Sequence, residues 1–231
     1  HRVDRRQRQM CIRDRSITWK IKKGIKFSDG SELTAEDAIF TYEYCTNPDT
    51  GCTQTNYYSD IQSVKAVDRY TVQVNFSVSK PFPYQAFVGY NSPILQKAQF
   101  KDCAGARAQE CNKENFYPIG TGPFVVQDFK ANDVIVFEAN PNYRDSSKPA
   151  FQTLVFKGGG DAVSAARAVL ETGEMDYAWN LQVEPEILAN MEKAGKGKIV
   201  SSFGTAVERL MAVSYTHLRA HETLRYLVCR L

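Results

Sequence analysis

The ten residues GEMDYAWNLQ, at positions 173–182, concentrate side chains that could bind or transform a small molecule. Two carboxylates, two large aromatic rings and two side-chain amides occur together: Glu174, Asp176, Tyr177, Trp179, Asn180 and Gln182. A carboxylate pair can act as acid and base, whereas aromatic rings and amides offer apolar contact and hydrogen bonds to a solute. A third interpretation is structural, because the alternation of Tyr177 and Trp179 is typical of a buried strand. Spacing alone favours this buried strand.

Catalysis receives little support from the rest of the sequence. On a strand, Glu174 and Asp176 would share a face and could form the acid/base pair of a glycoside hydrolase. Solvation of Glu174 at the end of the preceding helix is the simpler alternative. All three histidines lie near the chain ends, and no G-x-S-x-G motif or metal-ligand cluster occurs between residues 17 and 212. We therefore expect no catalytic residue, no metal and no cofactor.

Three segments with helix-start signals are predicted to be helices. The first begins at Thr34, which forms a capping-box pattern with Asp37. The second runs from Asp161, a favourable N-cap residue, to Gly173, and the third begins with Pro185 at its first helical position. The inward side chains of the third helix are predicted to be Ile187, Leu188 and Met191. The second and third helices flank GEMDYAWNLQ, so they must position its side chains.

Alternating apolar and polar residues predict strands in several segments. IQSVKAV (61–67) and YTVQVNF (70–76) are predicted to pair about an Asp68-Arg69 turn. FVVQDF and VIVFEAN are predicted to form a second hairpin, and TLVFK (153–157) is predicted to be a buried strand. ITWKIKKGIKF (17–27) is predicted to form two short strands about a turn.

Neither aromatic nor basic residues indicate a nucleic-acid partner. The run Phe82, Tyr84, Phe87 and Tyr90 lies among prolines and is more typical of a core or an interdomain seam than of base stacking.

Basic residues concentrate at the ends: six Arg against two Asp in residues 1–16, and three Arg against one Glu in residues 213–231. The strings QMCIRDRS and VSYTHLRAHET in these ends resemble translated sequencing-adapter DNA. We therefore expect residues 1–16 and 213–231 to be non-native.

Four cysteines lie between these ends as two local pairs, Cys45 with Cys52 and Cys103 with Cys111. Neither spacing is typical of zinc, no histidine lies nearby, and each pair flanks a loop that would let the sulfurs meet. Two disulfides would indicate an oxidising, extracytoplasmic compartment. Four free thiols, some of them buried as small hydrophobic side chains, are the alternative.

Five segments occur in an order that is typical of one protein family. They are WKIKKGIKFSDGSELTAEDAIFTYEY, DRYTVQVNF, PIGTGPFVV, VFEANPNYR and LETGEMDYAWN. In this order they closely resemble the extracytoplasmic solute-binding proteins of peptide-type ABC importers (family 5). The resemblance covers nearly all of residues 17–212.

The resemblance implies a mixed α/β fold, namely part of a type II clamshell like that of periplasmic binding proteins, with one lobe and an inserted small domain. Residues 17–117 would form mainly the inserted domain with hinge-side segments, and residues 118–200 would form part of the first lobe. Residues 201–212 would cross toward the second lobe. Family members are much longer, so we expect an internal fragment whose signal peptide lies outside these residues.

The resemblance also implies a ligand site. In relatives, the loop after the G-E-x-D pattern lies near the cleft between the lobes. Tyr177, Trp179, Asn180 and Gln182 are therefore expected to line the site, and Asp176 is expected to hold the loop through backbone amides.

The implied activity is extracytoplasmic or periplasmic capture of a peptide or similar small solute for import, without catalysis. The implied partners are the ligand and the ABC permease subunits at the membrane. A carboxylate-dependent hydrolase and a disulfide-stapled structural or adhesive surface module are the alternatives.

Overall fold

The computed structural model describes residues 15–145, 147–158, 160–179 and 181–201. The chain divides into two compact units, an N-terminal unit that ends at Gly159 and a C-terminal unit that begins at Gly160. Nearly all of the predicted non-native ends and of the 201–212 crossover lies outside the described residues.

The described residues contain both helices and strands, which confirms the predicted mixed α/β class. The N-terminal unit contains β1 (Ser16–Lys20), α1 (Ala35–Thr46), β2 (Ile61–Asp68), β3 (Thr71–Phe76), α2 (Lys97–Phe100), α3 (Asn112–Phe116), β4 (Phe124–Phe129), β5 (Val134–Ala139) and β6 (Thr153–Lys157). Its described residues also form the 3₁₀ helices Pro48–Thr50, Thr55–Tyr57 and Gly105–Glu110. The C-terminal unit contains α4 (Ala162–Leu170) and α5 (Pro185–Glu192).

The first sheet is antiparallel, with strand order β1–β3–β2, and α1 packs against β2 and β3. The hairpin of β2 and β3 is confirmed, and β3 buries Val72, Val74 and Phe76 on one face. The two short strands predicted in residues 17–27 are only half correct. β1 pairs with β3, whereas the following segment makes one isolated bridge, between Lys26 and Glu32. Pairing with a distant strand replaces the local hairpin.

Asp37 fixes the start of α1 and joins it to α2. Its Oδ2 accepts hydrogen bonds from the Thr34 amide (2.9 Å) and hydroxyl (3.1 Å), and its Oδ1 accepts one from the Lys97 amide (3.0 Å). The side chain is buried, so these donors replace the water that a carboxylate needs. The cap that was predicted from residues 34 and 37 therefore also carries a long-range contact.

The second sheet is antiparallel, with strand order β4–β5–β6, and it confirms the hairpin of β4 and β5. The prediction that residues 153–157 are buried is wrong, because Val155 is 45% and Phe156 is 54% exposed. β6 lies at the edge of its sheet, with β5 as its neighbour. An apolar run predicts a strand, but it does not show whether a second layer covers that strand.

Within the N-terminal unit, hydrogen bonds link the chain before residue 117 to the chain after residue 118. The side-chain amide of Gln99 donates to the Tyr117 carbonyl (3.0 Å) and accepts from the Ile119 amide (2.8 Å). The Ser28 amide donates to the Gly120 carbonyl (2.9 Å). The compact units therefore divide at residue 159, and the family-based division at residue 117 stays a prediction.

The C-terminal unit begins as predicted. Asp161 caps α4, where its Oδ1 accepts a hydrogen bond from the Ser164 amide at 2.8 Å. This bond is the main reason that the pKa of Asp161 lies below its ordinary value of 3.8. The core of the unit is small and consists of Ala166, Leu170 and Met191, with Val163, Leu181, Leu188 and Ile199 packed against it.

One inward position of α5 was predicted wrongly. Ile187 is 40% exposed, whereas Met191 is buried and Leu188 is partly buried. α5 packs on α4, and its buried stripe is narrower than its apolar pattern.

Removal of the Asp37 carboxylate should destabilise the N-terminal unit. We expect Asp37→Ala to lower the free energy of unfolding by about 2 kcal/mol, because buried amides lose a charged acceptor. Glu36→Ala is the matched control, since Glu36 is exposed and pairs with the Lys97 ammonium at 3.0 Å on the surface. That change should cost less than about 1 kcal/mol in urea unfolding. Equal losses in the two variants would contradict the proposed role of Asp37.

A methyl group at Gly197 should destabilise the C-terminal unit. A Cβ there would lie 3.0 Å from the Val169 carbonyl oxygen and 3.1 Å from the Leu170 Cδ2. We expect Gly197→Ala to cost about 1–3 kcal/mol in the free energy of unfolding, because packed atoms must shift. Gly160→Ala is the control, since no atom lies within 4 Å of its Cβ position. An alanine at 197 that is tolerated as well as one at 160 would show that the close approach is absent.

Candidate functional site

The segment Gly173–Gln182, called the 173–182 loop, leaves α4 through a compact turn. The carbonyl oxygen of Ala168 accepts hydrogen bonds from the Met175 amide (3.1 Å) and the Thr172 hydroxyl (3.3 Å). Gly173 adopts a φ of 70°, in the left-handed region that favours glycine after a helix. The backbone of Met175 is therefore held against the last turn of α4.

The other end of the loop is anchored by apolar packing. Leu181 packs against the core of the C-terminal unit, which α4 and α5 build together. Four residues later, Pro185 starts α5 at a position that needs no backbone amide. A hydrogen bond thus fixes one end of the loop, and a partly buried leucine fixes the other.

Between these anchors, the two large aromatic side chains lie in water. Tyr177 is 75% exposed and Trp179 is 78% exposed. The buried-strand interpretation is therefore wrong, since the described residues of the loop form no strand and Leu181, rather than either ring, packs against the small core. Gln182 is also exposed, whereas Asn180 lies outside the described residues. No ring contact or hydrogen bond joins the described site side chains to one another.

The two carboxylates of the loop do not form an enclosed pair. Glu174 and Asp176 are both exposed. The Asp176 carboxylate accepts no hydrogen bond from the described backbone, so its role in holding the loop stays a prediction. An acid/base pair needs a cleft that positions the substrate and excludes water, and the described part of the loop provides none.

Both predicted disulfides are present. Cys45 is bonded to Cys52 with a Cα–Cα distance of 5.0 Å, and Cys103 is bonded to Cys111 with a Cα–Cα distance of 5.8 Å. Cys103, Cys111 and Glu114 also bring three potential metal-ligand atoms within 4.8 Å of one another. The two sulfurs are bonded to each other, so neither is a thiolate that could hold a metal.

A cavity of about 330 Å³ in the N-terminal unit was not predicted. Its walls come from three stretches of chain, within residues 44–58, 92–100 and 108–118. In the sequence, the two cysteine pairs were the available signal for this cavity, because both disulfide loops contribute to its walls.

No described helix is long and apolar enough to cross a membrane.

Residues 13–214 match the family model of bacterial extracellular solute-binding proteins, family 5 middle. The oligopeptide-binding protein AppA of Bacillus subtilis is 30% identical over 203 residues, which are 88% of this chain and 35% of AppA. The glutathione-binding protein GsiB of Escherichia coli is 25% identical over 227 residues, which are 95% of this chain and 42% of GsiB. The chain thus spans well under half the length of these relatives.

The fold supports the same relationship. The structure of Bacillus subtilis AppA in complex with a nonapeptide matches 70% of this chain and 31% of AppA, with 32% identity and a TM-score of 0.58. The described fold therefore corresponds to part of the clamshell architecture of this family, as the five ordered segments predicted. The chain belongs to family 5 of the bacterial extracellular solute-binding proteins.

Proposed function

We propose that these residues act in the solute-binding component of an ABC importer. The protein captures a peptide or a similar small solute outside the cytoplasm and delivers it to permease subunits in the membrane. Membership of the family supports this role, as do the names of the relatives, which bind oligopeptides and glutathione. In this proposal, residues 17–117 belong mainly to an inserted domain and residues 118–200 to the first lobe.

The exposure of Tyr177 and Trp179 in an anchored loop carries the proposal. Burial of one large apolar side chain is favourable by roughly 1.5–3 kcal/mol, and this loop forgoes that gain twice. A structural module would gain stability by turning both rings inward. A binding protein instead keeps them available, because a ligand that covers the rings recovers the same free energy.

The chemistry of the loop suits a peptide-like solute. Trp179 and Tyr177 are rigid and combine apolar area with a polar tip. The side-chain amides of Asn180 and Gln182 can both donate to and accept from a peptide backbone. Closure of two lobes on the solute would expel water and strengthen these hydrogen bonds.

Capture in this proposal involves no chemical step. The loop carboxylates, Glu174 and Asp176, are exposed rather than enclosed, so they do not resemble a catalytic pair. The solute would therefore be released into the permease unchanged.

Replacement of Trp179 should weaken solute binding. In the full-length protein, we expect Trp179→Ala to reduce affinity for the best peptide of a mixed library by about ten-fold or more, as for a central aromatic contact. Tyr90→Ala removes an aromatic ring that is 90% exposed elsewhere and should leave affinity unchanged. Isothermal titration calorimetry separates the two. Equal affinity in both variants would remove Trp179 from the site, and no heat with any solute would contradict capture itself.

Peptides should be recovered intact after long incubation with the protein. Mass spectrometry of the bound and free fractions should show no new fragments, because capture as proposed involves no chemical step. Glu174→Gln and Asp176→Asn are the diagnostic variants. Cleavage by the unaltered protein that either substitution abolishes would establish a hydrolase and overturn the proposal.

A further inference from the structure

We propose that the N-terminal unit contains a second small-molecule site, in the cavity between its two disulfide-closed loops, for an uncharged ligand that combines an aromatic ring with an amide or hydroxyl group. This inference goes beyond the proposed function, which uses the 173–182 loop of the other unit. It also gives a role to the two cysteine pairs, which solute capture by that loop does not use.

The walls of the cavity are held in place before any ligand binds. The Cys45–Cys52 loop and the Cys103–Cys111 loop both line the cavity, and a disulfide closes each of them. A hydrogen bond of 3.0 Å from the Gly105 amide to the Thr50 hydroxyl joins one loop to the other. A site whose walls are already ordered loses little conformational entropy on binding, which favours a specific ligand.

One side of the cavity is apolar and aromatic. Tyr44 and Phe100 both line it, with their ring centroids 6.0 Å apart in an edge-to-face arrangement. Tyr58, Pro93 and Leu95 complete this side. The parts of these rings that line the cavity can contact a further aromatic ring, because offset and edge-to-face contacts are the favoured geometries.

Polar groups lie at the floor and at the rim. At the floor, the buried hydroxyls of Tyr58 and Ser92 are hydrogen-bonded to each other at 2.8 Å. At the rim, the exposed side-chain amides of Gln109 and Asn115 make no hydrogen bond to another described residue. A ligand that carries an amide or hydroxyl can bond to these rim amides while its ring contacts the aromatic side.

The lining contains no charge. None of the described lining residues is Asp, Glu, Lys, Arg or His. Burial raises the pKa of Tyr44 and of Tyr58, so both phenols are neutral at ordinary pH. A charged ligand would lose its hydration here without gaining a partner of opposite charge, whereas a neutral ligand avoids that cost.

The volume also fits a small ligand. The cavity of about 330 Å³ lies at the lower end of the range of roughly 300–1,000 Å³ that small-molecule sites occupy. A single substituted ring fits such a space better than a peptide of several residues. Benzamide is therefore a suitable probe, and benzoate and benzylamine are its anionic and cationic counterparts of nearly the same shape.

The test is a ligand-observed NMR titration of the complete chain with these three probes at neutral pH. We expect saturable benzamide binding, with benzoate and benzylamine weaker by about ten-fold or more. Thr53→Trp places a large ring at the exposed rim and should weaken benzamide binding by about ten-fold or more. Thr18→Trp, at an exposed position of β1, is the matched control and should bind as the unaltered chain does.

Asn115→Trp blocks the rim from α3 and serves as a second variant if circular dichroism shows that Thr53→Trp is unfolded. Trp179→Ala should leave benzamide binding unchanged, so this outcome is separate from failure of the proposed function. The inference is overturned if benzamide does not bind, if both charged probes bind equally well, or if the rim variants bind as the control does. Loss of benzamide binding in Trp179→Ala would also overturn it, because the probe would then occupy the other unit.

Discussion

The hydrogen bond from the Met175 amide to the Ala168 carbonyl fixes where the 173–182 loop leaves α4, and the packing of Leu181 fixes where it returns. The second anchor uses the small core of Ala166, Leu170 and Met191. The loop between them is held without burying its own rings. Because both ends of the loop are anchored, the exposure of its two large aromatic side chains is a property of the fold.

The N-terminal unit contains long stretches of irregular chain between its helices and strands. These stretches must be held in place. Asp37 contributes by binding both the start of α1 and the start of α2 through one buried carboxylate. The two disulfides contribute by closing short loops that face each other across the cavity. These local restraints act together with the main hydrophobic core of the unit, which includes Phe40, Val74 and Phe100. Both disulfide-closed loops line the cavity that we propose as a second ligand site.

Local signals in the sequence predicted the local parts of the fold. The caps at Thr34 and Asp161 and the β2–β3 hairpin depend on residues that are close in the chain, and all were predicted correctly. Errors arose where distant partners decide the outcome. β1 pairs with β3 instead of its own continuation, and β6 is exposed at a sheet edge, because pairing and layering are not encoded in a short apolar pattern.

The candidate site was also predicted only in part from the sequence. Residue types and order identified the family and directed attention to Tyr177 and Trp179. Periodicity alone predicts that both rings are buried. An alternating apolar pattern does not distinguish a strand from an exposed loop that is anchored by Leu181. The cavity was missed because three separate stretches of chain assemble it. Sequence therefore named the side chains of one proposed site, whereas only the packed structure revealed the cavity proposed as the other.

Quenching of Trp179 fluorescence tests the central claim most directly. In a full-length variant whose other tryptophans, Trp19 among them, are replaced by phenylalanine, acrylamide should quench the free protein strongly, because the ring is 78% exposed. A saturating peptide or solute should then reduce this quenching, because the ligand covers the ring. Weak quenching in the free protein, or strong quenching that no solute changes, would contradict the account of an exposed ring held ready for a ligand.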